Sequence, residues 1–408
     1  MYRVFGESSI TDTMILNRTT AHILSSMFVL FTFKYSRGTL SFRQANMVEK
    51  LDKPQAQIVL AIAISFLSVT GCASPDVQTD VRPVLTSQES GTSALLIGAH
   101  AVNDSVVWLS GTNGVYARTL DGGANWETSV VPGADSLQFR DVHAFDAETA
   151  FLLSIGPGEQ SRIFRTRNGG KDWTVVYRND EPEAFFDCLD FWDERTGIAF
   201  SDAVDGSFVI IRTDDGGDTW RRVAPESLPP VLPGEGGFAA SGTCLVTSGD
   251  SAAYVGTGNG ERSRLLFTKD RGETWDVVDT PLPGDEARGI TSVAVLDREH
   301  LSVLGGDLTA SDRHSAVMAF SDDEGLSWTV GDTLPFNGAV YGATYVAAAR
   351  KPLLVAVGPG GAAYSENDGV SWTPIDSTAY WSLTFASPAN GWLVGPEGKI
   401  THVAFSLP

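Results

Sequence analysis

From Ala94 to the end of the chain, short apolar runs alternate with polar segments, and the same order of runs recurs. An apolar run such as Phe139–Phe145 comes first, and a second run such as Phe151–Gly156 usually ends in Gly. A third run enters a polar turn, and a Trp after the turn begins a fourth run. Short runs separated by Gly-rich turns indicate β-strands. The pattern therefore predicts an all-β protein built from repeated four-stranded units.

The polar turn carries a motif, Ser/Thr-x-Asp/Asn-x-Gly-x-polar-Trp, that occurs six times. Its Asp or Asn can accept backbone N–H bonds inside the turn, its Gly can take a positive φ, and its Trp brings an apolar ring to the next strand. Successive Trp residues lie 47, 47, 55, 53 and 44 residues apart. The Asp or Asn and the Trp of the copies are Asp121 and Trp126, Asn168 and Trp173, Asp215 and Trp220, Asp270 and Trp275, Asp323 and Trp328, and Asn367 and Trp372.

A calcium loop is the competing interpretation of this motif, because Asp215 and Asp323 have acidic neighbours. An EF-hand loop needs oxygen ligands over about twelve residues and ends in a bidentate Glu. No copy of the motif has that arrangement, and none places a nucleophile beside a base. We therefore expect the motif residues to be structural and predict no metal site.

The six motifs resemble the Asp-box (BNR) repeat of sialidases, sortilin-type receptors and the photosystem II assembly factors, and the resemblance covers residues 94–408. It implies a β-propeller, in which each repeat is one blade. A seventh unit lacks the motif and has only three runs, at Tyr380–Phe385, Gly391–Gly395 and Lys399–Phe405. The segment Val81–Ser87 can supply the missing strand, so we predict a seven-bladed β-propeller closed by an N-terminal strand.

The chain before the repeats has the features of a lipoprotein signal. Residues 57–69 are mostly apolar, too few to span a bilayer, and Val69-Thr70-Gly71-Cys72 then resembles a lipobox. We expect residues 1–46 to be an upstream extension from a mis-assigned start or a disordered segment, and 47–71 to be the lipoprotein signal peptide. Residues 72–93 would then be a tether and the closing strand, and 94–408 the propeller. Lipid on Cys72 would anchor an exported protein on the periplasmic side or the cell surface. The alternative is a buried or interfacial apolar segment with an incidental Cys.

Two further cysteines, Cys188 and Cys244, occupy similar places in the first runs of neighbouring units. Ala99, Val142 and Ser292 are in the corresponding places of other units, so this position favours small side chains. A disulfide is possible in an oxidising compartment, but we expect two buried thiols.

The charge balance excludes one class of partner. The chain has a formal net charge of −21, and from Cys72 onwards 22 Lys and Arg stand against 46 Asp and Glu. Such a surface repels phosphate backbones, so we predict no nucleic-acid binding.

Catalytic and cofactor motifs are not found in the sequence. There is no His-Glu-x-x-His, no Cys cluster and no Gly-x-Ser-x-Gly, and the Gly-rich stretch Gly256–Gly260 leads into a predicted strand, not a helix. A glycoside hydrolase needs two placed carboxylates. Pairs such as Asp187 and Asp190 or Asp202 and Asp205 arise by chance in so acidic a chain. We predict no cofactor and name no catalytic residue.

A binding site is expected at the channel mouth, which is formed by the loops that enter the first strands and those joining the second to the third. An aromatic rim there could hold a protein segment or a sugar. The alternative is that the rings plug the top of the core between blades. The candidate residues are Phe139, Arg140, Phe185, Phe186, Asp187, Asp202, Asp205, Phe238, Tyr341 and Trp381.

The resemblance to photosystem II assembly factors implies a non-catalytic binding or assembly scaffold whose partner is a protein or a membrane-protein complex. Those factors use an Arg patch across the blades, which this chain largely lacks. The alternative is a carbohydrate-active propeller, either a sialidase-like glycoside hydrolase or a glycan-binding protein.

Overall fold

The computed structural model describes residues 34–36, 39–41, 81–347 and 351–406. The chain divides into two units, residues 1–77 and 78–408. In the first unit, β1 (Lys34–Ser36) pairs with β2 (Thr39–Ser41) in an antiparallel hairpin. The predicted signal peptide and Cys72 lie outside the described residues.

The second unit is a ring of seven antiparallel four-stranded sheets, here called blades 1 to 7. In blades 1 to 6 the chain runs from the inner strand outwards. Blade 1 comprises β4 (Leu96–Ala101), β5 (Val107–Gly111), β6 (Val115–Thr119) and β7 (Glu127–Val130). Blade 2 comprises β8 (Phe139–Ala144), β9 (Thr149–Ser154), β10 (Arg162–Arg167) and β11 (Thr174–Arg178). Blade 3 comprises β12 (Phe186–Phe191), β13 (Gly197–Val204), β14 (Ser207–Thr213) and β15 (Arg221–Arg222).

Blades 4 to 6 repeat this order. Blade 4 comprises β16 (Leu245–Ser248), β17 (Ala252–Gly256), β18 (Arg264–Thr268) and β19 (Asp276–Asp279). Blade 5 comprises β20 (Arg288–Val295), β21 (Leu301–Asp307), β22 (Val317–Ser321) and β23 (Thr329–Val330). Blade 6 comprises β24 (Gly342–Val346), β25 (Leu353–Gly358), β26 (Gly361–Ser365) and β27 (Thr373–Asp376). The inner strands of neighbouring blades contact one another around the whole ring.

Blade 7 closes the ring with strands from both ends of the propeller. It contains β28 (Ser382–Ser387), β29 (Asn390–Val394), β30 (Ile400–Ser406) and, as its outer strand, β3 (Arg82–Gln88). β3 pairs antiparallel with β30, in the register that sets Leu85 opposite Val403. The predictions of seven blades and of a closing N-terminal strand are therefore confirmed.

Helical structure in the described residues is limited to three short 3₁₀ turns, Gly158–Gln160, Pro225–Ser227 and Pro396–Gly398. Within the same part of the chain, no helix has the length and hydropathy needed to cross a membrane.

The hydrophobic core lies between blades. Seven clusters of buried apolar residues each join the facing sides of two neighbouring sheets. Between blades 2 and 3, for example, Phe151 packs against Phe191 with ring centroids 4.6 Å apart. Because each blade packs both faces against its neighbours in this way, its second strand is buried along most of its length, as in β5, β17 and β25, whereas outer strands such as β7 and β15 are mostly exposed.

Each of the six repeated motifs forms the same hydrogen-bonded turn, which joins the third strand of its blade to the fourth. In blade 3, the N–H of Gly217 donates to Thr213 Oγ1 at 2.9 Å, and Asp215 accepts bonds from the backbone and the hydroxyl of Thr219. Gly217 has φ 76°, a region that favours glycine. The Trp of each motif packs on the cluster shared with the preceding blade, as Trp220 does between blades 2 and 3.

A second turn recurs between the first and second strands. In blades 1, 2, 3 and 5, an Asp or Asn side chain accepts two backbone N–H bonds, as Asp146 does from Glu148 and Thr149. This turn also bonds to the neighbouring Asp-box, because the N–H of Gly169 donates to the carbonyl oxygen of Glu148. The two turns together make up the lower face of the ring.

The expectation of two free thiols is wrong. Cys188 and Cys244 form a disulfide whose Cα atoms are 6.2 Å apart. Cys188 lies in β12, and Cys244 immediately precedes β16, so the bond joins the inner strands of blades 3 and 4. The repeat indicates that small residues are needed at this position, but it does not indicate that these two cysteines face each other.

Candidate functional site

The inner strands surround a central channel with two different ends. The upper face is formed where the chain enters the first strand of each blade, and the lower face by the recurring turns described above. Ring closure brings polar inner-strand residues from separate repeats together.

A row of polar side chains crosses the inner strands of blades 1 to 4. The rings of His100 and His143 are 4.4 Å apart between their centroids, and His143 Nδ1 lies 2.8 Å from Asp190 Oδ1. Asp190 Oδ2 accepts bonds from the backbone N–H and the hydroxyl of Thr247, at 2.8 and 3.0 Å. His143 and Asp190 occupy matching positions in their blades, because β8 pairs with β9 in the same register as β12 pairs with β13.

Burial and this bonding shift the pKa values of the row. Burial, followed by the neighbouring His143, lowers the pKa of His100 to about 3, so this ring is neutral although it borders the channel. Burial alone would raise the pKa of Asp190, but the hydrogen bond and charge of His143 and the backbone N–H groups outweigh it and hold this pKa below its usual value. Asp190 is therefore an ionised acceptor that orients His143.

The channel mouth is covered by the loop of residues 223–244, which joins blades 3 and 4. It contains the 3₁₀ turn Pro225–Ser227 and then crosses the upper end of the ring to reach β16. Four hydrogen bonds join it to other blades. Arg140 Nη1 of blade 2 donates to the carbonyl oxygen of Ala239 at 3.0 Å, and Thr243 Oγ1 donates to Ser292 Oγ of blade 5 at 2.8 Å. Ser241 Oγ donates to the carbonyl oxygen of Tyr341 at blade 6 (2.5 Å), and its own carbonyl oxygen accepts from Ser382 Oγ of blade 7 (3.3 Å).

A buried ion pair anchors this loop to blade 4. Arg264 Nε donates to Glu235 Oε1 at 2.8 Å, and Arg264 Nη2 bonds to the other carboxylate oxygen. Thr257 Oγ1 also donates to Glu235 at 2.7 Å. Three hydrogen bonds to one carboxylate therefore fix Glu235 of the loop against blade 4, and removing either member of the ion pair would leave a buried charge.

Asp187 and Asp202 lie beneath the same loop. The N–H of Gly237 donates to Asp202 Oδ1 at 2.8 Å, and a Cβ on Gly237 would lie 2.8 Å from Asp187 Oδ2. Burial and then the charge of Asp202 raise the pKa of Asp187 well above its usual value. Burial likewise raises the pKa of Asp202 to about 6. Asp205, which the sequence grouped with them, is exposed at the hairpin between β13 and β14.

Most of the predicted aromatic rim is buried. Of the four candidate phenylalanines, Phe139, Phe186 and Phe238 are at most 7 % exposed and Phe185 is half-buried. Phe238 packs against Gly258 and Gly289, where a Cβ would come within 2.8 Å of its ring. These rings therefore pack within and between blades, as the alternative interpretation expected, and do not form an open platform.

Three half-buried candidate residues, Arg140, Tyr341 and Trp381, form one cluster at the mouth. The guanidinium of Arg140 lies 5.8 Å from the ring centroid of Trp381, and the rings of Trp381 and Tyr341 are 4.7 Å apart. Within the described residues, Arg140 has no carboxylate at ion-pair distance. Arg140 and Asp187 are the extra residues of β-bulges in β8 and β12, which turn their side chains towards the mouth.

A pocket that could not be predicted from the sequence lies at the lower end of the channel. It has a volume of about 600 Å³ and is lined by His143, Phe145, Phe191, Trp192, Asp193, Glu194 and Arg195. The available signal was the aromatic residue directly before the Asp of the recurring turn, in Phe145-Asp146 and Trp192-Asp193. Among the described residues, no cluster of three His, Cys, Asp or Glu could hold a metal ion.

No known family model matches the chain. It is 22 % identical over 366 residues to the photosystem II assembly protein Ycf48 of Synechococcus sp. (strain JA-2-3B'a(2-13)), covering 88 % of this chain and 98 % of that protein. It is also 22 % identical over 249 residues to the xyloglucanase Xgh74A of Acetivibrio thermocellus, covering 55 % of this chain but only 29 % of the enzyme.

A solved structure described as YCF48 bound to D1 peptide superposes with a TM-score of 0.53 at 16 % identity, covering 79 % of this chain and 96 % of that one. At such identity the likeness shows the fold alone. The chain is a seven-bladed β-propeller that resembles Ycf48 photosystem II assembly proteins along most of its length and a xyloglucanase along part of it.

Proposed function

We propose that this protein is an exported, lipid-anchored propeller that binds a segment of a membrane-protein complex and serves as a non-catalytic assembly scaffold. The similarity to a Ycf48 assembly protein carries this proposal, because it spans 88 % of the chain and 98 % of the relative. A Ycf48 propeller has been solved with a D1 peptide bound, so this type of propeller can hold a protein segment.

The upper face is the proposed binding surface, and Arg140, Trp381 and Tyr341 are its anchors. Arg, Trp and Tyr are the side chains enriched where interfaces gain most of their binding energy. In the part of the chain that the structure describes, Arg140 has no carboxylate at ion-pair distance, although the net charge of the chain is −21. A backbone carbonyl or carboxylate of a bound segment would therefore find a donor here.

Export is supported by the disulfide and by the lipobox-like Val69–Cys72. Disulfides form and persist in oxidising compartments such as the periplasm and are rare in the cytosol. The bond between Cys188 and Cys244 fits an exported protein. Lipid on Cys72 would hold the propeller at a membrane surface, where membrane-protein segments are presented.

A carbohydrate-active propeller is the second candidate, favoured by the similarity to a xyloglucanase over 55 % of the chain. Glycoside hydrolysis needs two carboxylates on opposite sides of a sugar, about 5–10 Å apart. The carboxylates nearest the channel mouth, Asp187 and Asp202, lie under residues 236–239. This covering favours the scaffold over the hydrolase.

The test is a pull-down from detergent-solubilised native membranes with the full-length protein. We expect recovery of a defined membrane complex, its loss with Cys72→Ala, and its reduction with the double substitution Tyr341→Ala and Trp381→Ala. Leu326→Ala is the matched control, since Leu326 is 80 % exposed on the lower face and lies far from the mouth in the fold. No specific recovery, together with release of sugars from xyloglucan, would replace the scaffold with the hydrolase.

A further inference from the structure

The loop over the channel mouth includes a strap, residues 237–242, that runs between two fixed points. On one side, Gly236 exchanges two backbone hydrogen bonds with Gly258, at 3.1 and 2.9 Å. On the other side, Thr243 Oγ1 donates to Ser292 Oγ at 2.8 Å, and the residue that follows Thr243 is in the disulfide. A movement confined to the strap therefore leaves both of its ends in place.

The strap is joined to the blades around it by single hydrogen bonds. Arg140 Nη1 donates to the carbonyl oxygen of Ala239. Ser241 donates to the carbonyl oxygen of Tyr341, and its own carbonyl oxygen accepts from Ser382. Release of the strap would therefore break these bonds and free Nη1 of Arg140.

Glycines bring the backbone of the strap directly onto carboxyl groups of blades 2 and 3. Gly242 has φ 83°, a region that favours glycine, and a Cβ there would collide with the carboxyl of Asp141. A Cβ on Gly237 would lie 2.8 Å from Asp187 Oδ2. Between the two glycines, Phe238 has the largest side chain of the strap, and it is 7 % exposed. The closed strap therefore keeps water away from the carboxyl groups beneath it.

A charge on Asp187 has no partner beneath the strap. Asp187 is 1 % exposed, and among the described residues its Oδ2 has no hydrogen-bond partner. Asp202, whose Oδ1 accepts from the strap, is a second carboxyl close to it. Arg140 faces Tyr341 and bonds to the strap, and no described cation forms an ion pair with either carboxyl. Burying an unpaired charge is costly, and two like charges repel each other.

The other charged groups near the strap do not offset this cost. Glu235 is already paired with Arg264. Asp141 lies near Asp190, whose charge raises the pKa of Asp141 further after the larger effect of burial. His143, the cation nearest to this second pair, is bonded to Asp190. The carboxyl groups under the strap therefore have no free positive charge to balance them.

We propose that the strap is a pH-sensitive cover of the channel mouth, which is closed while Asp187 and Asp202 are protonated and is released when they ionise. Burial, and then the charge of Asp202, raises the pKa of Asp187 well above its usual value, whereas the backbone N–H of Ala239 acts in the opposite direction. Burial raises the pKa of Asp202 to about 6. Opening gives both groups access to water and lowers these pKa values, so opening becomes more frequent as the pH rises above about 4. This device does not depend on which partner the upper face binds.

Hydrogen–deuterium exchange of the full-length protein tests the cover by comparing the wild type with Asp187→Asn, which carries no charge. At a given pH, the two proteins have the same intrinsic exchange rates in the strap, because the substitution lies outside it. We expect the strap of the wild type to exchange at least about tenfold faster than that of the variant at pH 8. At pH 4 the difference should largely disappear, since the carboxyl group is then protonated in the closed protein.

Two further variants and an internal reference make the result specific. Asp205→Asn, in the exposed hairpin of blade 3, should behave like the wild type. Asp202→Asn should slow exchange of the strap at pH 8, and it keeps the test valid if Asp187→Asn does not fold. The Asp-box turn of residues 365–372 in blade 6 is the reference. Equal exchange of the strap in the wild type and both strap-facing variants at pH 8, a difference of the same size at pH 4, or an equal change in the reference turn overturns the proposal.

Discussion

At the residue scale, the turns of the propeller contain glycines with positive φ, and glycine is required at these positions for two different reasons. Gly206 has φ 78° and open space around its Cα, so only its backbone conformation requires glycine. Gly217 has φ 76° and also lies against the ring of Phe151, where a Cβ would be 2.5 Å from Cε1. The Asp-box glycine therefore serves both the turn and the packing between blades.

Substituting these two glycines separates the two effects. Gly206→Ala should cost about 1 kcal/mol of unfolding free energy, because a left-handed conformation costs a side chain about that much. Gly217→Ala should cost about 2–4 kcal/mol, since overpacking of the core adds to the strain. Chemical denaturation measures both, and equal losses would show that the contact with Phe151 has no energetic weight.

Buried carboxyl groups give the protein an unusual pH dependence. Burial raises the pKa of Asp141 to about 7 and that of Asp202 to about 6, and raises that of Asp187 well above its usual value. Each folded-state pKa lies above the unfolded value. Asp141 and Asp202 therefore stabilise the fold below about pH 4, and their contribution is lost as the pH rises to about 7; the contribution of Asp187 changes in the same direction.

Asp187→Asn should remove part of the stability loss that accompanies a rise in pH. The variant should be more stable than the wild type at pH 8, by at least about 1 kcal/mol, and the difference should shrink towards pH 4. Asp205→Asn is the control, because Asp205 is exposed and Asn tolerates its φ of 51°. Thermal unfolding of the variants and the wild type between pH 4 and pH 8 measures this difference. A gain in stability that is the same at every pH would show that ionisation of Asp187 is not its cause.

At the scale of elements, the disulfide joins the inner strands of blades 3 and 4, between which the long covering loop leaves the ring. The two cysteines are 56 residues apart in sequence. Closing a loop of this length in the unfolded chain is worth about 4 kcal/mol in the chain-entropy description. The bond therefore stabilises the part of the ring whose connection is longest.

Replacing both cysteines by Ala should lower the unfolding free energy by about 2–4 kcal/mol. A thiol reductant should destabilise the wild type by a similar amount and leave the double variant unaffected. If the reductant destabilised both proteins equally, or neither, the disulfide would not contribute to stability.

The elements that the sequence predicted correctly are those with repeated local signals. The six turns with Gly and Trp follow from residues near each other in the chain. The segment Val81–Ser87 could be predicted as the closing strand because the seventh unit has only three runs, although its partner β30 is distant in sequence. The path of residues 223–244 does not, because its Pro and Gly residues indicate only a loop. Its course across the mouth depends on contacts such as Ser241 with Tyr341, which are distant in sequence.

At the scale of the whole molecule, the ring brings together residues that no sequence motif connects. His100, His143, Asp190 and Thr247 come from four blades and form one row in the channel. The sequence placed candidate residues at the mouth but could not show that Phe139 and Phe186 are buried. Burial depends on how neighbouring sheets pack, which local patterns do not encode.

The central claim is that the upper face of the propeller binds a segment of a membrane protein. Site-specific photo-crosslinking in native membranes tests it, with benzoylphenylalanine at Tyr341 on the upper face or at Leu326, which is 80 % exposed, on the lower face. The account predicts a crosslink to a membrane protein from position 341 and none from position 326. No crosslink from position 341, or the same products from both positions, would contradict it.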